Sequence, residues 1–539
     1  MSSWKQIFET YKAGKHEPVE SRMTPGTTVQ LASPSLEDKL EAIHSFLGES
    51  DDLIVRRFRV FGEIEAAAIF MASVVDHILI HEAILKPLMN IPPQLNFKVI
   101  DLKELPDVLL KDCLLVTGGM KETEAEKLLN SIMQGSTVLL IDGAPESLVL
   151  QTRKIEKRGI EQPQTEQVIR GAREGFVEVL ETNLSLLRGR LQSNDLRIKI
   201  SPIGRRTRSR VAVCYIEGIV NPQLVDEALS RLSKIDTDAI IDAGYIEQFI
   251  EDHPMSPFPQ IQSTERPDKT AAALIEGRVA IMVDNSPFAL IIPTVFAQFY
   301  QTLDDYTERF MIASLIRMVR LIALIFSLIT PALYVSVISF NPELLPTDFA
   351  VAVAGGRAGV PFPAFIEVLI IEVSMEVLRE ATIRLPQMIG GALSIVGVLV
   401  IGQAAVSAGF CSPITVVIVA LTTIGSFATP AYNAAIALRM LRFPLIFLAG
   451  TFGLYGVMIG LILIVNHLLS LESFGVPYVA PIVPGSWQGI KDSLMRGPLW
   501  WIPNRPSYLH PVNKRRQAKK TAKSPMDSAF KGPTRKENP

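Results

Sequence analysis

The acidic residues with the most informative spacing lie in an otherwise apolar stretch, residues 365–385. Glu372, Glu376 and Glu380 are spaced i, i+4 and i+8, so on a helix their carboxylates form one stripe. One interpretation is an amphipathic helix at a membrane interface, whose charges are wet and partly paired, as Glu380 with Arg384. The other is an ion-facing stripe inside a bundle or at a pore mouth. The sequence leaves both open, because it does not fix the depth of this segment.

A second candidate is the uncharged stretch 388–408, which is dense in Gly, Ala and Ser. Small residues let helices approach closely and suit a helix packed around a central axis. Val396, Val400 and Gln403 lie at steps of four and three, hence on one helical face. An apolar constriction can gate by dewetting, so these three residues are predicted to line a pore. The alternative is ordinary helix packing, with Gln403 hydrogen-bonded to a neighbouring helix.

Residue patterns for catalysis are weak throughout the chain. His77 and His81 have the spacing of two zinc ligands on a helix, but no third ligand accompanies them. Gly118 and Gly119 follow a short apolar run, and two glycines describe an ordinary turn better than a phosphate-binding loop. No Ser-His-Asp or Cys-His arrangement can be assembled from spacing. We therefore expect no enzyme activity, no cofactor and no bound metal.

The elements that position these residues divide the 539-residue chain into two halves suited to different solvents. Up to about Arg309 the chain is charged and reads as a water-soluble polypeptide. No charged residue lies between Arg320 and Glu343, or between Pro386 and Leu438. Stretches of this kind leave a domain without a wettable surface, so the C-terminal half is predicted to be a membrane bundle.

The N-terminal half is predicted to stay in the cytoplasm. It begins without the apolar run of a signal peptide. Arg309, Arg317 and Arg320 precede the first uncharged stretch, and the positive-inside rule places such residues on the cytoplasmic side. An odd number of scattered cysteines also fits a reducing compartment without disulfides: Cys113, Cys214 and Cys411.

Short apolar runs alternate with helical patterns before residue 285, which is typical of α/β structure. The predicted fold is thus an α/β soluble N-terminal region of two subdomains, followed by an all-α multi-pass transmembrane bundle. A strand is predicted over 113–117, and a helix opens near Arg173. The predicted boundaries are a disordered N-terminus 1–35, α/β subdomain 36–150, linker 151–169, α/β subdomain 170–285, transmembrane domain 286–511 and a basic disordered tail 512–539.

Four spans of roughly 20 residues, each enough to cross about 30 Å of hydrocarbon, are predicted at 321–340, 388–408, 414–434 and 445–469. The apolar stretch 287–300 is shorter and is predicted to be re-entrant or to lie at the interface. Four crossings return the C-terminus to the cytoplasm but put Arg439 and Arg442 outside, against the positive-inside rule. If the acidic segment also spans, those arginines lie inside and the tail outside. We favour a cytoplasmic tail.

The tail is strongly basic, with nine Lys or Arg and one acid, Asp527, between Lys514 and Lys536. Such a segment favours an anionic lipid surface. Nucleic acid is not the predicted partner, since the tail has no aromatic residues at stacking spacing.

From Gly171 to about Pro511 the chain closely resembles the A subunits of bacterial spore-germination nutrient receptors, the GerA family. Many weak motifs in the right order carry the resemblance. They begin with Arg173-Glu174-Gly175-Phe176, Ser256-Pro257-Phe258-Pro259-Gln260, Thr264-Glu265-Arg266-Pro267 and Val283-Asp284-Asn285-Ser286-Pro287-Phe288. They continue with Glu376-Val377-Leu378-Arg379-Glu380-Ala381, Gly402-Gln403-Ala404-Ala405-Val406, Pro430-Ala431-Tyr432-Asn433 and Pro498-Leu499-Trp500-Trp501.

The resemblance implies a subunit of the spore inner membrane that works with a transporter-like B subunit and a lipoprotein C subunit. It further implies that copies of the chain form a homo-oligomer, a nutrient-gated ion channel whose opening triggers germination. Two other function classes stay open. A secondary transporter subunit would show inverted repeats and charged or broken helices at midplane. A non-conducting scaffold for a nutrient-binding partner would need no polar route through the bundle.

Overall fold

The computed structural model of the chain describes residues 35–90, 102, 104–154, 163, 166–383, 402–483, 485 and 487–517. These residues form two α/β units, a helical bundle and a C-terminal segment, residues 471–517, that packs back onto the second unit.

The first α/β unit is an antiparallel sheet with helices on both faces. Its elements are α1 (Leu36–Leu47), β1 (Leu53–Val60), β2 (Ile64–Met71), α2 (His77–Leu79, Ile80–Leu85 and Lys86–Met89), α3 (Leu105–Val108 and Leu109–Cys113), β3 (Gly119–Glu122), α4 (Ala125–Met133), β4 (Ser136–Ile141) and β5 (Ser147–Gln151). The strand order is β1-β2-β4-β5-β3. Helices α1 and α4 pack on one face of the sheet and α2 and α3 on the other. Strands covered on both faces read as continuous apolar runs, which is why β4 is visible in the sequence.

The second α/β unit has the same construction. Its elements are α5 (Leu180–Arg190), β6 (Leu196–Ile203), β7 (Ser209–Ile216), α6 (Pro222–Ser233), α7 (Ala243–Ile250), β8 (Gln262–Thr264), α8 (Pro267–Glu276), β9 (Val279–Val283) and β10 (Ala289–Ile292). The order is β6-β7-β9-β10-β8, so β10 is an interior strand. The prediction that 287–300 is re-entrant or interfacial is therefore wrong for the residues of β10. The sheet continues to Ile292, beyond residue 285.

The two units are a structural repeat. Both run helix, two strands, two helices, strand, helix, two strands, and their strand orders correspond one to one. In each, an aspartate after the fourth strand accepts a hydrogen bond from the first backbone N–H of the first helix. Asp142 Oδ1 lies 2.9 Å from Leu36 N, and Asp284 Oδ1 lies 3.2 Å from Leu180 N. The same capping geometry at equivalent positions marks an internal duplication that the sequence analysis did not detect.

Two local predictions in these units are wrong. Residues 109–113 are helical and the strand follows later, at β3. The helix predicted near Arg173 begins at Leu180, because the preceding chain makes other hydrogen bonds. Phe176 N donates to Glu265 O at 2.7 Å, and Val177 N donates to Asn183 Oδ1 at 2.8 Å. The apolar face that motivated the helix is nevertheless buried in one cluster: Phe176, Leu180, Leu184, Leu187 and Leu191.

The helical bundle follows the second unit. Its helices are α9 (Asp304–Thr307), α10 (Phe310–Phe340), α11 (Thr347–Arg357), α12 (Ala364–Ile383), α13 (Pro413–Phe427) and α14 (Tyr432–Ser470), and α15 (Trp487–Ser493) lies in the C-terminal segment. Among the described residues, α10 and α14 are long and apolar enough to cross a membrane, and α13 is a shorter apolar helix. The span predicted over 414–434 ends early, since Pro430 disfavours a helical residue before it and lacks the N–H that a helix needs.

Helix α14 is a sharp hairpin. Gly453 has φ 62° and ψ −144°, a left-handed backbone outside the helical region that favours glycine. The two arms run side by side, and glycine permits their close approach. A Cβ on Gly456 would lie 2.0 Å from Leu448 O, and one on Gly460 would lie 2.5 Å from a Leu445 methyl carbon. The single span predicted over 445–469 is therefore wrong. The arms, residues 432–452 and 454–470, are about 30 Å and 25 Å long at 1.5 Å per residue.

Both ends of the hairpin lie at the end of the bundle that contacts the second α/β unit, which we call the near end. Ala431 N donates to Phe299 O at 3.3 Å, and Ser256 Oγ lies 2.9 Å from His467 Nε2. The turn at Gly453 lies at the far end, against the ring of Phe340 at the end of α10.

The C-terminal segment returns to the second unit from the near end. Ser473 Oγ donates to Gln260 O at 2.7 Å, and Val512 N donates to Ile219 O at 3.0 Å. The α/β units and the C-terminal segment therefore lie on the same side of the bundle. If the bundle lies in a membrane, the chain crosses it an even number of times between Phe310 and Ser470.

Candidate coupling and gating site

The predicted acidic stripe lies on α12, where it faces arginines of α14. Glu372 Oε2 accepts a hydrogen bond from Arg442 Nη1 at 2.7 Å, and both side chains are buried. Glu376 Oε1 lies 3.4 Å from Arg439 Nε, and its other oxygen lies 3.5 Å from Arg379 of its own helix. These pairs join α12 to the first arm of α14, and we call them the α12–α14 ladder.

The third member of the stripe, Glu380, occupies an exposed position on α12. The structure thus divides the stripe: Glu372 is buried against Arg442, Glu376 contacts two arginines with 43% of its side chain exposed, and Glu380 lies at the surface. The role of the stripe in ion passage stays a prediction.

The ladder keeps charge inside an apolar bundle by pairing it. Within the described residues, Glu372 Oε1 and Arg442 Nε make no hydrogen bond, so the pair is incompletely satisfied. Burial of an ion pair costs desolvation that the mutual attraction offsets only when the geometry is good, so such a pair specifies register more than it stabilises. Arg439 and Arg442, which posed the topology problem, are therefore side chains of the bundle interior.

A third carboxylate of α12, missed by the sequence analysis, organises the far end. Glu367 is fully buried and lies 3.0 Å from Arg357 Nη2 of α11. Its other oxygen accepts from Ser412 N at 3.1 Å and from Thr415 Oγ1 at 2.8 Å, at the start of α13. The carboxylate thus ties α11, α12 and α13 together.

Of the three predicted pore-lining residues, Val396 and Val400 lie outside the described residues. Gln403 lies in a helical stretch at 402–407, in an exposed position. The pore assignment stays a prediction.

The near end is organised around Asp305, whose carboxylate is almost completely buried. It accepts hydrogen bonds from Arg317 Nε at 3.0 Å and from Arg320 Nη2 at 3.2 Å, both on the first turns of α10. Thr302 Oγ1 adds a third donor at 3.1 Å. Arg309, Arg317 and Arg320 are the three arginines to which the positive-inside rule was applied. Arg317 and Arg320 are buried against the Asp305 carboxylate, whereas Arg309 is exposed.

The C-terminal segment completes this junction. Arg317 Nη1 also donates to the backbone oxygen of Asp492, and Arg496 Nε donates to Asp305 O at 3.2 Å. The guanidinium groups of Arg317 and Arg496 lie 5.8 Å and 4.9 Å from the centroid of the Tyr306 ring. Burial raises the pKa of Tyr306 well above its usual value, so its hydroxyl stays protonated and donates to Asp492 Oδ1 at 3.2 Å. We call Asp305, Tyr306, Arg317, Asp492 and Arg496 the near-end junction.

The two α/β units are locked to each other by a comparable pair. Arg188 of α5 donates to both oxygens of Asp52, at 2.9 Å and 2.8 Å, and both side chains are buried. Asp52 also accepts from Ser73 Oγ at 3.1 Å. A bidentate pair of this kind fixes orientation as well as distance, so it helps to hold the two units in one relative orientation.

Comparison with known proteins identifies the family. The sequence profile of the Bacillus/Clostridium GerA spore germination protein matches residues 41–508. The chain belongs to the GerA family. It is 42% identical to spore germination protein KA of Bacillus subtilis (strain 168) over 502 residues, 92% of this chain and 91% of that protein. It is also 42% identical to the uncharacterized membrane protein YfkQ of the same organism over 489 residues, 90% of this chain and 94% of that protein.

One solved structure also matches this GerA-family chain. The N-terminal domain of the A subunit of the Bacillus megaterium spore germinant receptor GerK3 covers 50% of this chain and 98% of its own length, with 32% identity and a TM-score of 0.40. The family resemblance inferred from motifs is confirmed by the profile and by the relatives. The matched range takes in both α/β units, the bundle and most of the C-terminal segment.

The ion pairs and hydrogen bonds of the near-end junction in this GerA-family chain were not predicted from the sequence. Asp305 stood in the sequence next to Asp304 and Tyr306, shortly before the two arginines of α10. An aspartate so close in sequence to the arginines at the start of an apolar helix could have suggested an ion pair between them. Asp492 and Arg496 are far away along the chain and gave no signal, because only the return of the C-terminal segment brings them to α10.

Proposed function

We propose that this chain is the A subunit of a nutrient germinant receptor, and that copies of it form an ion channel in the spore inner membrane. Opening of the channel on nutrient binding triggers germination. Family membership supports the germination role. The apolar helices α10 and α14 support a membrane location. The proposed activity is conduction, not catalysis.

The observation that carries the coupling part of the proposal is the near-end junction. It joins three parts of the chain at one buried residue, Asp305, in the segment leaving the second α/β unit. The Asp305 carboxylate accepts from the first long helix of the bundle, and its backbone oxygen accepts from Arg496 of the C-terminal segment. A change in the orientation of the α/β units therefore acts directly on α10. A ligand opens a bundle only through a difference in its affinity for the two states, and a few kcal/mol give a large population shift.

The proposed partners follow the family pattern. A transporter-like B subunit binds the nutrient, a lipoprotein C subunit completes the receptor, and the α/β units face the cytoplasm. The hydrogen bonds of Ser473 and Val512 to the second α/β unit support a C-terminal segment on the same side as these units. The buried ion pair between Asp52 and Arg188 supports the view that the two units move relative to the bundle as one rigid body.

A second candidate function is a non-conducting scaffold for the nutrient-binding partner. The α12–α14 ladder favours it, because the buried Glu372 is paired with Arg442 instead of facing an open route. A scaffold also uses the near-end junction for assembly alone, so the two candidates differ in whether the junction controls ion movement.

The test replaces the native subunit in spores with Arg317→Met or with Arg309→Met as the matched control. Arg317 is fully buried in the junction, whereas Arg309 is exposed. Both changes remove one arginine close to the start of α10. We expect Arg317→Met to uncouple nutrient from cation release while the subunit is still present, and Arg309→Met to behave like the native chain. Normal nutrient-triggered cation release in Arg317→Met spores would contradict the coupling role.

A further inference from the structure

An apolar and aromatic surface at the near end has no partner within the described residues. Three side chains after α15 are exposed: Met495 by 58%, Leu499 by 49% and Trp501 by 60%. We call these residues the C-terminal platform. Exposure of three large apolar groups within seven residues is unusual for a surface that faces only water.

The C-terminal platform is fastened to the start of α10. Ser314 Oγ donates to Arg496 O at 2.9 Å and accepts from Arg496 N at 3.1 Å. The ring of Trp500 meets the ring of Phe310 edge to face, with centroids 6.3 Å apart. The platform therefore lies at the level where α10 enters the bundle.

This position continues the apolar exterior of α10. Met311, Leu315 and Val319 are exposed along the same helix, whose Phe310 and Ser314 contact the C-terminal segment. Tryptophan is enriched where hydrocarbon meets lipid headgroups, because its ring is apolar and its N–H needs a polar partner. If α10 crosses a membrane, Trp501 lies at that boundary.

Basic residues lie beside the platform. Lys491 Nζ lies 5.8 Å from the centroid of the Trp501 ring. The chain then returns beside the platform, where Gln517 Nε2 donates to Leu499 O at 2.9 Å and Arg516 N donates to Pro503 O at 2.8 Å. The basic tail thus leaves the described structure next to the exposed apolar side chains. Basic residues flanking an apolar anchor are complementary to an anionic lipid surface.

We propose that the C-terminal platform and the basic residues after Asn513 form an anchor for an anionic bilayer surface on the side of the α/β units. The anchor holds the C-terminal segment, and through Arg496 the near-end junction, at a fixed depth. The proposal rests on the membrane placement of α10 and goes beyond the receptor role, since the partner it names is lipid.

Trp501 itself can report its surroundings. The full chain has four tryptophans, and changing Trp4, Trp487 and Trp500 to Phe leaves Trp501 alone. This variant is placed in vesicles of phosphatidylcholine, with or without phosphatidylglycerol, that carry bromine at a shallow position of the acyl chain. The control keeps a single tryptophan elsewhere: Trp501→Phe is added together with Tyr245→Trp, an exposed position on α7.

We expect shallow brominated lipid to remove at least half of the Trp501 fluorescence in anionic vesicles and to leave the control unchanged. Deleting residues 518–539, or adding salt, should reduce the quenching in anionic vesicles and not in neutral ones. Quenching by aqueous acrylamide alone would show that the platform faces water, and resistance to both quenchers would show that protein, such as a second copy, covers it. Either result overturns the proposal. It is also overturned if the quenching is the same in neutral and anionic vesicles and does not change when residues 518–539 are deleted. Failure of the chain to float with vesicles would instead contradict the membrane placement.

Discussion

Breaking the ion pair between Glu372 and Arg442 would decide what the acidic stripe does. Glu372→Gln keeps the shape of the side chain and removes its charge, which leaves a guanidinium buried to 3% exposure without its countercharge. Removing one partner of a buried pair costs about 3–5 kcal/mol. At about 1.4 kcal/mol per factor of ten, the equilibrium between the folded and the disrupted bundle shifts by about 10²- to 4 × 10³-fold.

A double-mutant cycle separates pairing from conduction. Glu372→Gln and Arg442→Gln should each lower the subunit level and the resistance of the purified protein to thermal unfolding in detergent. The double variant should recover most of the loss, since no unpaired charge remains. Glu380→Gln, at an exposed position of the same helix, is the matched control and should change little. A different result would show that the carboxylate acts on ions. In that case Glu372→Gln leaves stability and abundance normal but lowers cation release, and adding Arg442→Gln does not restore cation release.

Three further outcomes are expected. Gly453→Ala should destabilise the protein by about 1 kcal/mol or more, because its left-handed backbone and the adjacent Phe340 ring both oppose a side chain. Gly355→Ala, with open space around it, is the control in the same thermal assay. Burial raises the pKa of Glu247 to about 7, so its protonation stabilises the folded chain fully below the ordinary value of 4.5 and the effect is lost as pH rises through about 7. Glu247→Gln should therefore flatten the fall in melting temperature over that window, and an unchanged pH profile would exclude Glu247 as its source. A change of Val396 or Val400 to Ala should give nutrient-free cation release at normal subunit abundance if these residues line a pore, and normal abundance without leak at both positions would rule that out.

The sequence predicted the features that depend on local pattern. Short apolar runs marked interior strands such as β4, and Asn221 followed by Pro222 marked the start of α6, where the Asn221 side chain caps Gln223 N. The change from charged to uncharged composition correctly separated the α/β units from the apolar helices.

The hairpin of α14 could not be predicted with the same means. Gly453 stands within a long apolar run, and a glycine inside such a run is common in helices that pack closely. Tertiary contacts show that the chain reverses, as between Leu448 and Gly456 and between Leu445 and Gly460. Hydropathy measures how apolar a segment is and not where it turns, so one span was predicted where two arms exist.

The internal repeat, in contrast, left a readable signal. Residues 134–150 and 276–292 share a glycine, an aspartate seven residues later and a proline three residues after that. These are Gly135, Asp142 and Pro145 in the first unit, and Gly277, Asp284 and Pro287 in the second. Aligning them would have extended the second sheet through β10 and removed the re-entrant prediction. The buried pairs at Asp305 and Glu372 left no comparable signal, because their partners are set by tertiary packing.

We propose that this GerA-family chain conducts ions under the control of its α/β units. Cation flux from sealed vesicles tests it most directly, with the purified chain alone, with its partner subunits, and with partners plus nutrient. We expect flux only when partners and nutrient are both present, and we expect this flux to be lost in Arg317→Met but not in Arg309→Met. Vesicles that stay tight under all conditions, although the assembled receptor binds nutrient, would contradict conduction and leave the scaffold function in its place.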